Sequence, residues 1–338
     1  MRLVMTLLAR NEADIIDAQI AFHLNAGVDF VIATDNGSLD GTIKILERYE
    51  EAGVLHLIRE AGDDMRQGEW VTRMARSAAT DFGADWVINS DADEFWWPRG
   101  GSLKNVLDLV PDRFGVIRGC WRHFLPRIHD FADFSERMIV RLCAPALPGD
   151  KSTIYHAHQK VAHRADPDVE IERGNHNALG AALDPLRGWH PIEVLHFSFR
   201  SLEQAERKAR ARWLQRSADG LLGHEARLRQ AVRDDALEDF FASVAVSPEQ
   251  LERGLADGTL ALDTRLRDAL RVLRSPDGKY GPPDPAPLLS FEAPAVDDAA
   301  AYAAEASALA GIDGIVRAER RVAALEARLA GLRRLPRP

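Results

Sequence analysis

The sequence predicts an α/β fold: a mixed, mostly parallel sheet flanked by helices, followed by an α-helical C-terminal extension. Three observations carry that expectation. Short apolar runs alternate with helical stretches through the first 120 residues, the pattern of βαβ units. Polar clusters follow the apolar runs, so they would gather at the carboxyl edge of one sheet, where open α/β sheets bind ligands. After Ser201 the chain becomes Arg-, Ala- and Leu-rich with helical spacing.

Taken in order, Leu3–Ala9 is a continuous apolar run ended by Arg10-Asn11-Glu12, as in a strand covered on both faces. Asp14–Ala26 has helical spacing through Ile15, Ile16, Ile20, Phe22 and Leu24 and is closed by Gly27. Phe30–Thr34 is the second strand, and Thr42–Ala52, closed by Gly53, the second helix. Val54–Ile58 follows as a strand, Trp70–Phe82 as a helix and Trp86–Asn89 as the fourth strand, which runs into Ser90-Asp91-Ala92-Asp93-Glu94. Shorter β-like runs (Phe114–Arg118, Met138–Leu142, Val194–Phe199) are separated by His- and Asp-rich loops. Helices are expected at Leu202–Ser217, Gly223–Val232, Pro248–Leu255 and Asp263–Leu273. Ser275–Pro287, with five prolines, reads as a linker. In the tail Ile315, Val322 and Leu329, with Ala318, Leu325 and Leu332, repeat at seven, a coiled-coil seam.

Composition bounds the function. The 338 residues are 46% hydrophobic and 28% charged, enough for a sizeable core without staples. A net charge of −9 argues against a general nucleic-acid binder, which needs a basic surplus. Cys120 and Cys143 are the two cysteines, which excludes a disulfide framework and a four-cysteine zinc site. The apolar start is too short for a signal-peptide core, and no run reaches the ~18 apolar residues of a membrane span. We therefore expect a soluble protein of the reducing cytoplasm.

The sharpest chemical feature is the acidic strand end. Asp91 and Asp93 can both reach one hard cation, Mg²⁺ or Mn²⁺, that keeps room for substrate phosphates. Such an ion neutralises charge growing on a phosphate leaving group. A solvated acidic turn is the competing reading, but the apolar strand before it and Phe95-Trp96-Trp97-Pro98 behind it favour a metal site. Asp35, at the tip of the second strand, can accept hydrogen bonds from a base or from ribose hydroxyls. Asp40 and Thr42 read as the cap of the following helix. Arg10, Asn11 and Glu12 are either loop polarity at a helix start or part of the shared edge. Arg66, with Gln67 and Trp70 ahead of the third helix, is either a diphosphate partner or a surface residue.

Leu7-Leu8-Ala9-Arg10-Asn11-Glu12, then Asp35–Thr42, then Asp85–Phe95 resemble glycosyltransferase family 2, whose members have the GT-A nucleotide-sugar fold. The Asp-Ala-Asp-Glu-Phe ending is similar to the family 2-like branch. The resemblance covers residues 1–120 well and 120–215 loosely. It implies a GT-A domain over 1–215, with a nucleotide-binding half (1–120) and an acceptor and metal half (121–215). A helical region (216–274), a Pro-rich linker (275–297) and a helical tail (298–338) would follow.

The same resemblance implies roles. Asp35 would bind the nucleoside, with Arg10, Asn11 and Glu12 lining its pocket and Arg66 and Gln67 beside the donor. Asp91 would touch the ribose and, with Asp93, hold the metal on the sugar diphosphate. A late histidine often joins as a metal ligand; His196 suits that role, with His176 as its rival. Family members usually invert the anomeric centre, which needs a carboxylate to deprotonate the acceptor hydroxyl. Here the sequence departs from the family, because no Glu-Asp pair lies between the acidic motif and the late histidine. Among Asp130, Asp133, Glu136, Asp168, Glu170, Glu172 and Glu193, we expect Glu170 or Glu172; Glu94 reads as structural.

The expected activity is metal-dependent, inverting transfer of a sugar from a nucleotide-diphosphate donor, a UDP-sugar by preference. The acceptor would be a glycan or lipid-linked precursor of cell-surface polysaccharide. One rival is a metal-dependent nucleotidyltransferase, which would want a Gly-rich basic phosphate loop where Ala9-Arg10-Asn11-Glu12 stands. Another is a scaffold that binds nucleotide without turnover. The Arg-rich stretch from Arg200 to Arg216 is either a peripheral contact with an anionic acceptor or the inner membrane face, or a solvated helix. The tail heptads would make either a homo-oligomer seam or an intramolecular contact.

Overall fold

The structure is a computed structural model that describes residues 1–61, 66–127, 133–144, 146, 153–181, 183–210, 223–281, 289–292, 321–322 and 325. Asp130, Arg212–Arg216 and most of the tail heptad positions lie outside the described residues.

Strands β1 (Leu3–Ala9), β2 (Phe30–Asp35), β3 (Leu55–Arg59) and β4 (Trp86–Asp91) are parallel, joined by α1 (Ile16–Asn25), α2 (Thr42–Glu51) and α3 (Gln67–Thr80). The chain then reverses into β5 (Glu94–Pro98) and passes α4 (Leu103–Asp108), β6 (Val116–His123), α5 (Phe134–Arg137) and β7 (Val140–Leu142). Next come β8 (Gln159–Arg164), β9 (Glu170–Ile171), β10 (Ala178–Leu179) and β11 (Ile192–His196). The C-terminal part is α6 (Leu202–Ala209), α7 (Gly223–Arg233), α8 (Leu237–Val244), α9 (Pro248–Asp257), β12 (Leu260–Leu262) and α10 (Arg265–Leu273). The main sheet has eight strands in the order β3-β2-β1-β4-β8-β6-β11-β5. β8 is antiparallel to β4 and β6, and β5 is antiparallel to β11; the remaining pairs are parallel, which gives the mixed, mostly parallel sheet expected.

β1 is buried along its whole length because both sheet faces are covered. Leu3, Met5 and Leu7 pack with Ile20 and Phe22 of α1 and Leu46 and Tyr49 of α2. Val4 packs with Val71, Met74 and Ala78 of α3 on the other face. That is why the run shows no polar alternation. Gly27 (φ 112°) and Gly53 (φ 74°) take the left-handed backbone that ends α1 and α2. Leu266 and Leu270 of α10, with Tyr280 and Phe291, join the α1 face of the core. Phe291 lies edge-on to Trp97, with centroids 4.6 Å apart, so part of the Pro-rich stretch packs on the core. A separate core under the C-terminal helices gathers Tyr155, Phe199, Leu228, Phe240, Phe241 and Leu260.

The structure corrects several boundaries. β4 continues through Asp91, α3 begins at Gln67, and the aromatic run after the acidic turn is a strand, β5. β5 exists because it pairs with β11, a partner about 100 residues away that local periodicity does not reveal. Its position is locked by His23, which is fully buried, bonds the Gln19 carbonyl through Nδ1 and accepts the Trp96 amide at Nε2. β8 was also not expected, since Lys160 and His163 interrupt its apolar pattern. No helix among the described residues is long and apolar enough to cross a membrane.

Candidate active site

Strand register sets the polar ends side by side. Ala9 lies opposite Asp35, and Leu8 opposite Asp91, so Arg10–Glu12, Asp35 and Asp91 share the carboxyl edge. Asn11 sits at φ 57° and ties the edge together: its amide donates to Ser38 Oγ (2.9 Å) and its Oδ1 accepts the Leu39 amide (2.8 Å). The Ser38 amide in turn donates to Asp35 Oδ2 at 3.1 Å. Asp35 Oδ1 is buried without a hydrogen-bond partner among the described residues, an unsatisfied acceptor at the carboxyl edge of the sheet. The N-cap of α2 is Gly41, which corrects the expected cap: Asp40, one residue before it, accepts from the Thr42 amide and hydroxyl and from the Ala13 amide.

The acidic turn divides its carboxylates between two surroundings. Asp91 Oδ1 accepts from Gln67 Nε2 and Asn175 Nδ2, each at 3.1 Å, and Oδ2 pairs with Lys160. Glu94 is fully buried and accepts from Trp121 Nε1 (2.8 Å), Lys160 Nζ (2.9 Å) and the Asp91 amide (3.1 Å). Asp93 instead faces His196, with Oδ2 3.8 Å from Nε2. That separation is too long for a hydrogen bond and close enough for both atoms to touch one ion. Ligand atoms of Asp93, Glu94 and His196 all lie within 4.8 Å of one another.

Burial would raise Asp93, but the cationic form of His196 and the neighbouring Lys208, Arg200 and Lys160 oppose it and leave the carboxyl below its ordinary value. Burial drives His196 well below its ordinary value despite Asp93, so at neutral pH the ring is uncharged. An ionised carboxylate and a neutral imidazole are the protonation states a divalent ion needs, so Asp93 and His196 fit a metal. Burial, with Asp91 and Asp93, pushes Glu94 upward, and the Lys160 ammonium with the Trp121 and Asp91 N–H donors opposes this and favours the carboxylate. Burial also pushes Glu12 to about 7, Arg200 notwithstanding.

The other anticipated residues fall as follows. His196 stacks on Trp121 (4.2 Å between centroids, 21° between planes), which fixes the ring's plane. His176 lies apart from the acidic trio: it bonds the Gln159 carbonyl and stacks on His158 at 3.5 Å. Gln67 links Asp91 to the Gly174 amide, while Arg66 is exposed and pairs with Glu69 at 3.7 Å. Arg10 is half-buried at the end of β1. Glu12 is drawn to Arg200, whose buried guanidinium also holds Asp14 at 2.7 Å. Glu172 is half-buried and accepts from Asn177 Nδ2 at 3.3 Å, whereas Glu170 is exposed. Glu193 is taken by Arg99, Arg122 and Arg265, which outweigh burial and hold it at about 2, an ill-suited base. Asp133 caps α5 and Glu136 pairs with Arg271.

Sequence reasoning missed Lys160, Trp121 and Asn175. In the sequence Lys160 stands between His158-Gln159 and Val161-Ala162 with nothing to set it apart from a surface lysine, and the local cue is Asn175 directly after Gly174, a pair suited to a tight turn.

No family model and no curated protein matches the chain. It is similar to a solved mycobacterial protein at 23% identity, over 36% of this chain and 41% of that one, with a TM-score of 0.27. TarS 1-349 from S. aureus is similar at 13% identity, over 75% of this chain and 83% of that one, with a TM-score of 0.32. Glucosyl-3-phosphoglycerate synthase from Mycobacterium tuberculosis, in complex with Mn²⁺, uridine-diphosphate and glucosyl-3-phosphoglycerate, is similar at 21% identity, over 36% of this chain and 44% of that one, with a TM-score of 0.25. The chain thus aligns with less than half the length of the two mycobacterial structures.

Proposed function

We propose that the chain is a metal-dependent glycosyltransferase that takes a sugar from a nucleotide-diphosphate donor, a UDP-sugar by preference. It passes that sugar with inversion to a hydroxyl of a glycan or lipid-linked acceptor in making cell-surface polysaccharide, in the cytoplasm. The observation that carries the reading is one convergence at the sheet edge: the unsatisfied acceptor of Asp35, the fixed carboxylate of Asp91, and Asp93 facing a neutral His196.

In this reading Asp35 receives the nucleoside, braced by Asn11 and Ser38, and Asp91 accepts from the ribose. Asp93 and His196 hold the divalent ion; a mixed oxygen and nitrogen donor set suits Mn²⁺ ahead of Mg²⁺, which prefers oxygen. When bound, that ion supplies charge neutralisation at the diphosphate leaving group. The acceptor oxygen bonds to the anomeric carbon as the bond from that carbon to the diphosphate breaks, and the hydroxyl proton passes to a carboxylate. Glu172 is our choice over Glu170 because it is half-buried in the segment whose Asn175 touches Asp91. Membrane contact through the Arg-rich helix is not part of the proposal: Arg207 and Arg210 are paired with Glu203 and Glu206 in α6.

A thermal-shift panel of UDP, GDP, dTDP and CDP, each with Mn²⁺ and with EDTA, tests the reading. A ligand that binds only the folded state raises Tm. We expect a shift with UDP that requires the metal. No shift with any nucleotide overturns the transferase and leaves a scaffold.

A further inference from the structure

Lys160 is 1% exposed, in the interior strand β8, where an unpaired ammonium would be prohibitively costly. It bridges Asp91 Oδ2 and Glu94 Oε1 and stands 5.3 Å from the Trp121 ring centroid. With Gln67 and Asn175 on Asp91 Oδ1, Trp121 on Glu94 Oε1 and the Asp91 amide on Glu94 Oε2, each oxygen of these two carboxylates has a protein donor. Asp93, between them in sequence, faces His196 instead.

We propose that Lys160 is a positioning residue of this site: a fixed internal cation that occupies Asp91 and Glu94 and confines the divalent ion to the Asp93 side. Asp91 is thereby left as an oriented hydrogen-bond acceptor for the donor rather than a metal ligand. The inference rests on the metal-dependent reading above and adds to it the device that keeps three neighbouring carboxylates from sharing or doubling the ion. A positive charge held against two of the three acids lowers the pull of the site on further cations. It also keeps the Asp91 carboxylate in one orientation before any ligand arrives, which removes an ordering cost from binding.

Bound Mn²⁺ is counted by electron paramagnetic resonance on the full chain, with and without UDP, for the wild type, K160R, K160Q and D91N. We expect one ion in the wild type and K160R. K160Q, which keeps hydrogen-bonding atoms but loses the charge, should bind Mn²⁺ about tenfold tighter or take a second ion. D91N should change Mn²⁺ affinity by less than about tenfold, since an outlying charge and not a ligand is lost. A K160Q protein with wild-type circular dichroism and unchanged Mn²⁺ affinity and stoichiometry overturns the proposal. Loss of Mn²⁺ binding in D91N overturns it as well, and decides the matter if K160Q does not fold. Either result leaves the transferase reading standing. A wild type that takes no Mn²⁺, with or without UDP, overturns the metal-dependent reading and this inference together.

Discussion

His196 and Glu94 are register partners across the antiparallel pair of β11 and β5. That pairing, extended by the Phe197 amide donating to the Asp93 carbonyl at 2.9 Å, fixes where the imidazole meets the acidic turn. A side chain about 100 residues downstream is thus aimed at Asp93 by backbone hydrogen bonds rather than by a flexible loop, which is how precise sites are held.

Asp93→Asn and His196→Ala should each abolish the Mn²⁺-dependent rise in Tm produced by UDP and cut sugar transfer by at least about 100-fold. Neither should destroy the fold, because Trp121 and the β5–β11 ladder remain. Transfer by Asp93→Asn within twofold of wild type at saturating Mn²⁺ would count against the assignment.

Asp35→Asn removes the negative charge of an unsatisfied buried acceptor. UDP affinity measured by calorimetry should fall by roughly tenfold or more, the scale of a charge-assisted hydrogen bond. Asn11→Ala should weaken UDP less and destabilise the protein by about 1–2 kcal/mol, because it removes the bond to the Leu39 amide and places alanine at φ 57°. Equal UDP affinity in Asp35→Asn and wild type would remove the nucleoside role.

Arg200→Met leaves Glu12 and Asp14 facing a neutral side chain at a buried position. Breaking one partner of a buried ion pair costs about 3–5 kcal/mol, with the lower end expected because Asp14 is partly exposed. Urea unfolding should show the loss, and a change under about 1 kcal/mol would mean that the pair is not a structural anchor.

Stability should fall on the acid side. Burial holds His123 and His163 at about 4, below 6.5, so the unfolded chain binds more protons between those values. Their contribution is full above about pH 6.5 and is lost as pH falls toward 4. The wild-type urea midpoint should therefore drop from about pH 6.5 to about pH 4, and His163→Gln should flatten that drop. A wild-type midpoint that holds steady over this interval would refute the buried, uncharged imidazoles.

The βαβ half and its chemistry-bearing edge are legible in the apolar runs alone. Continuous apolar runs at Leu3–Ala9 and Phe30–Thr34, stopped by polar residues, carry both the strand assignment and the position of Arg10–Glu12, Asp35 and Asp91, because a parallel sheet places all such ends on one side. What lies beyond Asp91 was decided by tertiary structure. Whether Glu94–Pro98 is a loop or a strand depends on β11, and whether Glu193 is a base or an anchor depends on Arg99, Arg122 and Arg265. Lys160 is indistinguishable in sequence from a surface lysine until β4 and β6 close over β8 and bring Asp91 and Glu94 to its ammonium. Local periodicity records which residues avoid water; it holds no record of which buried charges meet, since that depends on strand pairings set by distant parts of the chain.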